Sequence, residues 1–203
     1  MRSDDLASLG LRVKTGRAVA VLLRGPVRSP VVVKRGEIVI ADSKIPETWQ
    51  PYHVVMDLPW LAAQKAAQKT ARAIMSAASK AMRQWSQQAG TSGFKLCAVG
   101  VVGGSDPDPG RIGNPHIRAH AAEGLLYRKA VESGADALGL VHCYFIENLV
   151  YEVAAKELKL SVDELKQFLN DLGKPVGRPW RSDEKAAALS AWLMLSRHRN
   201  PGL

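Results

Sequence analysis

Valine, leucine and isoleucine crowd residues 10–23 (GLRVKTGRAVAVLL) and 31–41 (VVVKRGEIVIA), and the break between them, RGPVRSP, is rich in glycine and proline. Branched apolar runs separated by turn formers predict antiparallel strands. The first run bends back on itself at Gly16, and KRGE inside the second predicts a further hairpin or a bulge. Pro46 and Pro51 keep the following segment extended, and YHVVMD at 52–57 predicts a third strand. At Trp60 the period changes. Up to Gln88, the residues Ala71, Ile74, Met75, Ala78, Met82 and Trp85 recur at steps of three and four, which places them on one face of a helix.

Further along, FKLCAVGVVGG (94–104) is apolar throughout and closed by glycines, the profile of a central strand buried on both faces. Asn114 and Pro115 then predict a helix start as cap and first residue, and Gly134 predicts its end. ADALGLVHCYFI supplies another strand, in which His142 reads as a satisfied strand-end histidine. Three helical patterns follow: NLVYEVAAKELKL, SVDELKQFLNDLG with Ser161 and Glu164 as a capping box, and SDEKAAALSAWLML with Ser182 as cap. The expected architecture is α/β: three antiparallel strands, then strand-helix units, forming a mixed sheet flanked by helices. With 203 residues, 46% of them hydrophobic, the chain is expected to fold as a single domain over 1–203, with a helical extension near 147–173.

Composition adds a partner. The net charge of +9 and pI near 9.8 favour polyanions, with nucleic acid the leading candidate. Lys65, Lys69, Arg72, Lys80 and Arg83 share the helical period of the 60–88 segment and align as one basic stripe, which reads either as a nucleic-acid contact or as a solvated face. Cys97 and Cys143 lie in apolar runs with no disulfide or zinc-ribbon spacing, so a reducing cytoplasm is expected. MRSDDLASLG has no apolar leader core, and no run approaches the roughly 18 apolar residues of a spanning helix, so no membrane association is expected. The amphipathic helices leave a homo-oligomer open.

Three constellations carry candidate chemistry. Lys14, Thr15 and Arg17 surround the glycine turn of the first hairpin and read either as anion binders or, for Lys14, as a side chain snorkelling from the sheet edge. SDPDPGRIGNPHIRAH joins a strand end to a helix N-terminus, where Arg111, His116 and Arg118 favour an anion. His116 and His120, four apart, also suit a metal together with Asp106, Asp108 or Glu123; a hydrogen-bonded structural loop is the third reading, and no metal is assigned. In GRPWRSD, Trp180 sits between Arg178 and Arg181, where it either stacks on a base or anchors the loop on the core. No serine or cysteine nucleophile motif, Walker loop or dinucleotide fingerprint is present.

The element order resembles the ribonuclease H-like fold, and within it the RuvC-type Holliday-junction resolvases. LGLRVKTGRAVAVLL is similar to that family's first hairpin, whose short strand carries a catalytic aspartate before a glycine-containing turn. VDELKQFLNDLGKPVGRPWRSDEKAAALSAWLML is similar to its late helix, glycine-rich loop and alanine-rich helix. The resemblance implies two divalent metals held by about four carboxylates. The first position falls at Lys14 or Thr15, and the second meets no acid until Asp106 and Asp108; only the last has acids in place, Asp183 and Glu184. The implied site is therefore degenerate, and the expected function is nucleic-acid binding with weak or no nuclease activity. One alternative is a magnesium- or manganese-dependent phosphodiesterase built from Asp106, Asp108, Asp183 and Glu184. Another is a phosphate or nucleotide binder centred on Lys14, Thr15 and Arg118, using the hairpin turn as related actin-like ATPases do.

Overall fold

A computed structural model describes residues 5–199. Strands β1 (Leu6–Lys14), β2 (Arg17–Arg24) and β3 (Val31–Val39) form an antiparallel meander, and β4 (Lys95–Gly103) and β5 (Val141–Ile146) add in parallel on the other side of β1. The sheet order is β3-β2-β1-β4-β5. Between the strands lie α1 (Trp60–Thr91) and α2 (Pro115–Asp136), and α3 (Val150–Leu158), α4 (Val162–Gly173) and α5 (Ser182–Arg199) complete the chain. Among the described residues no helix is long and apolar enough to cross a membrane.

Alternation along the strands sorts two cores. Leu9, Leu11 and Val13 of β1 pack with Ala18, Ala20 and Leu22 of β2 against Ile74, Met82 and Trp85 of α1 and Tyr127 of α2. The opposite face packs Val21, Leu23, Ala98 and Val102 against α5, which α3 and α4 cover from outside. This sandwiched position explains why α5 is buried from Ala186 through Ser196 and has no polar face in that span.

On that second face β1 presents Ser8, Gly10, Arg12 and Lys14 in turn, since side chains alternate along a strand. The small residues let α5 lie directly on the sheet. Ser8 Oγ donates to the Ala191 carbonyl at 2.6 Å and Ser190 Oγ to the Gly100 carbonyl at 3.2 Å. A Cβ at Gly100 would fall 2.5 Å from the Ser190 carbonyl oxygen, and one at Gly10 would strike the Ala187 carbonyl.

Three local expectations are corrected by the structure, and a fourth is narrowed. Residues 52–57 form no strand: His53–Val55 is a 3-10 turn, because the amides of Tyr52 and His53 donate to the buried Glu123 carboxylate rather than to a neighbouring strand. Of the hairpin or bulge expected at KRGE, the structure has the second: the segment stays within β3, where the register slips once, at Val33, the residue before it. Gly134 lies inside α2, where a Cβ would sit 2.8 Å from Met82 Cγ, so its role is to admit α1. Ser182 is the first residue of α5 and not its cap: the Arg181 carbonyl accepts from Lys185 N–H, and Glu184 accepts from Arg181 N–H at 2.8 Å. The caps at Asn114 and Ser161 are as expected, the second a full capping box with Glu164.

Gly10→Ala should cost about 3 kcal/mol in urea denaturation, the upper end of ordinary overpacking. Gly124→Ala, in the exposed middle of α2 with nothing within 4 Å of a new Cβ, should instead stabilise by about 0.5–1 kcal/mol through helix propensity. Burial pushes the Cys97 thiol up to about 11, with the nearby positive charges of Arg199 and Lys95 opposing the rise. The reactive thiolate is therefore scarce at pH 8, and a disulfide-exchange reagent should modify Cys97 only when denaturant unfolds the chain.

Candidate functional site

Where β1 and β4 end, α5 begins, and β1 changes from small residues to Arg12 and Lys14. The strand face that buries Ser8 and Gly10 deeper in the molecule therefore carries two cations to the mouth, opposite Asp183 in the first turn of α5. Lys14 Nζ lies 2.7 Å from Asp183 Oδ2, and Arg12 Nε lies 3.9 Å from Asp183 Oδ1. Arg12 is only 11% exposed and needs its charge matched. Glu147, the residue after β5, meets its guanidinium with both carboxylate oxygens, and Arg12 also donates to the Val13 carbonyl at 2.6 Å.

A cavity of about 550 Å³ opens beside this network, lined by Arg12, Lys14, Asp106, His120, Arg128 and Tyr144 among others. Its third cation is matched as well. Arg128 of α2 pairs with Asp106 at 2.8 Å and lies 4.1 Å over the Tyr144 ring, whose hydroxyl donates to the Gly104 carbonyl. Arg12, Lys14 and Arg128 thus face Glu147, Asp183 and Asp106, and Arg128 has a second carboxylate in Glu132 at 3.2 Å.

The four carboxylates considered for metal chemistry are held apart in separate bonds. Asp183 takes Lys14 and Asp106 takes Arg128, while Asp108 caps a 3-10 turn through Gly110 N–H and Glu184 holds the Arg181 amide. Around the hairpin turn, Arg17 pairs with Glu37 at 2.6 Å and Thr15 is exposed beside the cavity. Gly16 adopts φ +70° beneath the Trp49 ring, and its carbonyl accepts from Ile40 and Ala41. Gly16 itself is packed into the protein, while Lys14 and Thr15 just before it line the cavity.

At the start of α2, Arg118 lies 6.0 Å over Trp60 and points toward the Ile112 carbonyl, a structural role at the helix entrance. His116, His120, Glu123 and Tyr127 share one α2 face by their spacing. That face clamps the segment before α1. The Tyr127 hydroxyl donates to the carbonyls of Thr48 and Trp49 at 2.5 and 2.8 Å, and Glu123 accepts from Tyr52 and His53 N–H at 3.0 and 3.1 Å. Burial, and then the Glu123 charge, raise both the Tyr127 and Tyr52 hydroxyl pKa values, so both remain neutral donors at physiological pH. The clamp brings His53 onto His116 and His120.

The basic residues of α1 and the late loop lie on different faces of the sheet. Lys65, Lys69, Arg72, Lys80 and Arg83 are all exposed, pointing away from the face that buries Ile74, Ala78, Met82 and Trp85. Arg178 and Arg181 are exposed on the α5 side. Trp180 between them is an anchor: its Nε1 donates to the Leu169 carbonyl at 2.7 Å and its ring fills the space where Gly173 lacks a side chain.

No family model matches the chain, and no curated protein matches it in sequence. Solved structures do match. RuvC of Thermus thermophilus in complex with a Holliday junction substrate superposes over 96% of this chain and 96% of its own, with TM-score 0.57 at 13% identity. A second Thermus thermophilus RuvC structure covers 97% of each chain with the same TM-score at 10% identity. The fold is ribonuclease H-like, of the RuvC type. At such identity the likeness concerns the backbone path alone.

Arg12, Glu147, Arg128 and His53 did not stand out in the sequence, and Glu123 did so only as a metal ligand beside His116 and His120. A charged residue inside the apolar strand LGLRV and an acid on the core period of α2 were the available signals; nothing local links His53 to α2. If Trp180 holds the loop, Trp180→Ala should lower stability by about 2 kcal/mol, less than the 3–5 of a fully buried aromatic. A parallel single-strand binding assay separates this from stacking, which would lower affinity and leave the melting temperature unchanged.

Proposed function

We propose that the protein binds nucleic acid through the outer face of α1 and performs no two-metal phosphodiester cleavage. The carrying observation is the composition of α1: from Trp60 to Thr91 it holds five exposed cations and no aspartate or glutamate. A merely solvated helix face intersperses acids three or four residues from its bases. Here the five bases span about 27 Å within an arc of about 80°, at the rise and turn of an α-helix. None has an ion-pair partner among the described residues. A nucleic-acid backbone is a repeating polyanion suited to such a row. The RuvC structure that shares this fold was solved with a Holliday junction, which makes nucleic acid the natural polyanion to test.

Arg178 and Arg181 form a second, smaller cationic area; Arg35 of β3 reaches the Arg178 carbonyl at 2.6 Å and adds a third charge. The mouth of the sheet supports the reading of weak or no cleavage. A divalent ion at Asp183 would have to displace Lys14 and sit beside Arg12, and each remaining acid is held elsewhere. The small-phosphate reading is weaker, because the cavity's three cations already have carboxylates. A single-domain protein in a cytoplasmic setting is part of the same proposal.

Replacing Lys69, Arg72, Lys80 and Arg83 with glutamine should weaken duplex and single-strand binding and flatten the salt dependence, by about 0.9 log unit per lost duplex contact and about 0.7 per single-strand contact. The wild type should bind with little sequence preference and leave a four-way junction uncut in magnesium or manganese. Identical salt slopes for the two proteins, or metal-dependent cutting abolished by Asp183→Ala, overturn the proposal.

A further inference from the structure

His53, His116 and His120 each present a ring nitrogen within 4.8 Å of the other two, the one such group of three potential metal ligands among the described residues. Their rings stand nearly perpendicular, at 72–87°, with centroids 4.4–5.1 Å apart. Edge-to-face rings are an ordinary arrangement of aromatic pairs, so the feature that points to a metal is the convergence of one nitrogen from each ring. The strongest sign is at His53. Its Nδ1 is fixed against Glu123, 2.9 Å from each carboxylate oxygen, while its Nε2 is buried without any hydrogen-bond partner. A buried polar atom without a partner carries a free-energy cost unless something else satisfies it.

We propose that these three histidines bind one divalent transition-metal ion of the zinc class, with His53 coordinating through Nε2. Nitrogen-only donors suit zinc, cobalt or nickel and not magnesium or calcium, which prefer oxygen. Glu123 is 2% exposed and takes the place of the carboxylate behind a metal-bound histidine, fixing the tautomer that leaves Nε2 free and strengthening it as a donor. It is therefore a positioning residue. In a tetrahedral site with bonds of about 2.0–2.1 Å the ligand nitrogens stand about 3.3 Å apart, which small rotations of the exposed His116 and His120 side chains bring about. Three protein ligands leave a fourth position for water or a substrate atom. His120 also lines the cavity of Arg12, Lys14 and Arg128, so the ion would border that cavity at the ends of β1 and β4. The site is independent of the nucleic-acid reading, since no residue of the α1 stripe takes part.

Tag-free full-length protein, stripped with chelator and dialysed, is titrated with cobalt and followed by visible absorption, then with zinc by calorimetry. The expected result is one equivalent of cobalt with the intense bands of a four-coordinate ion, displaced by zinc, and a rise in melting temperature on binding. His116→Ala and His120→Ala, both at exposed positions, should keep the metal-free melting temperature and lose the bands. Glu123→Gln keeps all three ligands and should weaken zinc binding by about 10- to 100-fold. Absence of both cobalt bands and zinc heat in the wild type overturns the site, as does full binding by a His116→Ala, His120→Ala double variant.

Discussion

The position of α5 against β1 and β4 governs the molecule. Helices usually stand about 10 Å off a sheet, their side chains filling the gap; here Gly10, Gly100 and Ser8 on the strands meet Ala187, Ser190 and Ala191 on the helix, and backbone nearly touches backbone. This contact leaves no tolerance for a sliding register. Because Ser190 and Ser8 each donate across it, the helix is held along its axis as well as perpendicular to the sheet. Everything at the ends of the strands inherits that registration, beginning with Asp183 one turn before Ala187.

From the registration follows the chemistry of the mouth. Successive residues on the α5 face of β1 run from small and neutral to large and charged, while the facing positions of α5 run from Ala191 and Ala187 to Asp183. A carboxylate in that position of a ribonuclease H-like fold can serve a metal only where the strand brings further acids. This strand brings Arg12 and Lys14, and the local charge is satisfied by ion pairs. Arg12 is the more consequential of the two. It is nearly buried, and a bidentate carboxylate from beyond β5 ties the third strand of this edge to the first.

The other face of the sheet follows a different logic. α2 places two histidines, a glutamate and a tyrosine along one side, and the last two bind the backbone of the segment that leads into α1. Glu123 thereby does two things with one side chain: it pins Tyr52 and His53 through their amides, and it orients the His53 ring. A segment with three prolines and little regular structure is held in place in part by hydrogen bonds to its main chain. The same segment carries one of the three converging imidazoles.

Much of this architecture was legible in the chain. Branched apolar runs broken by turn formers gave β1 to β3, the doubly apolar run gave the central β4, and capping residues at Asn114 and Ser161 marked helix starts, because each of these signals acts between residues a few positions apart. The basic stripe of α1 was legible for the same reason. Local rules misled at 52–57 and Gly134, where a glutamate 70 residues away and a methionine on another helix decided the conformation. The charge at the end of β1 could be read from Lys14, yet its consequence depended on Asp183 and Glu147, which only the packing of α5 and β5 brings within a few ångströms. The histidines show the boundary most clearly. Helical spacing alone aligned His116 with His120, but the arrival of His53 needed the fold, since convergence of residues far apart in sequence is set by which surfaces bury each other and not by the period of any one of them.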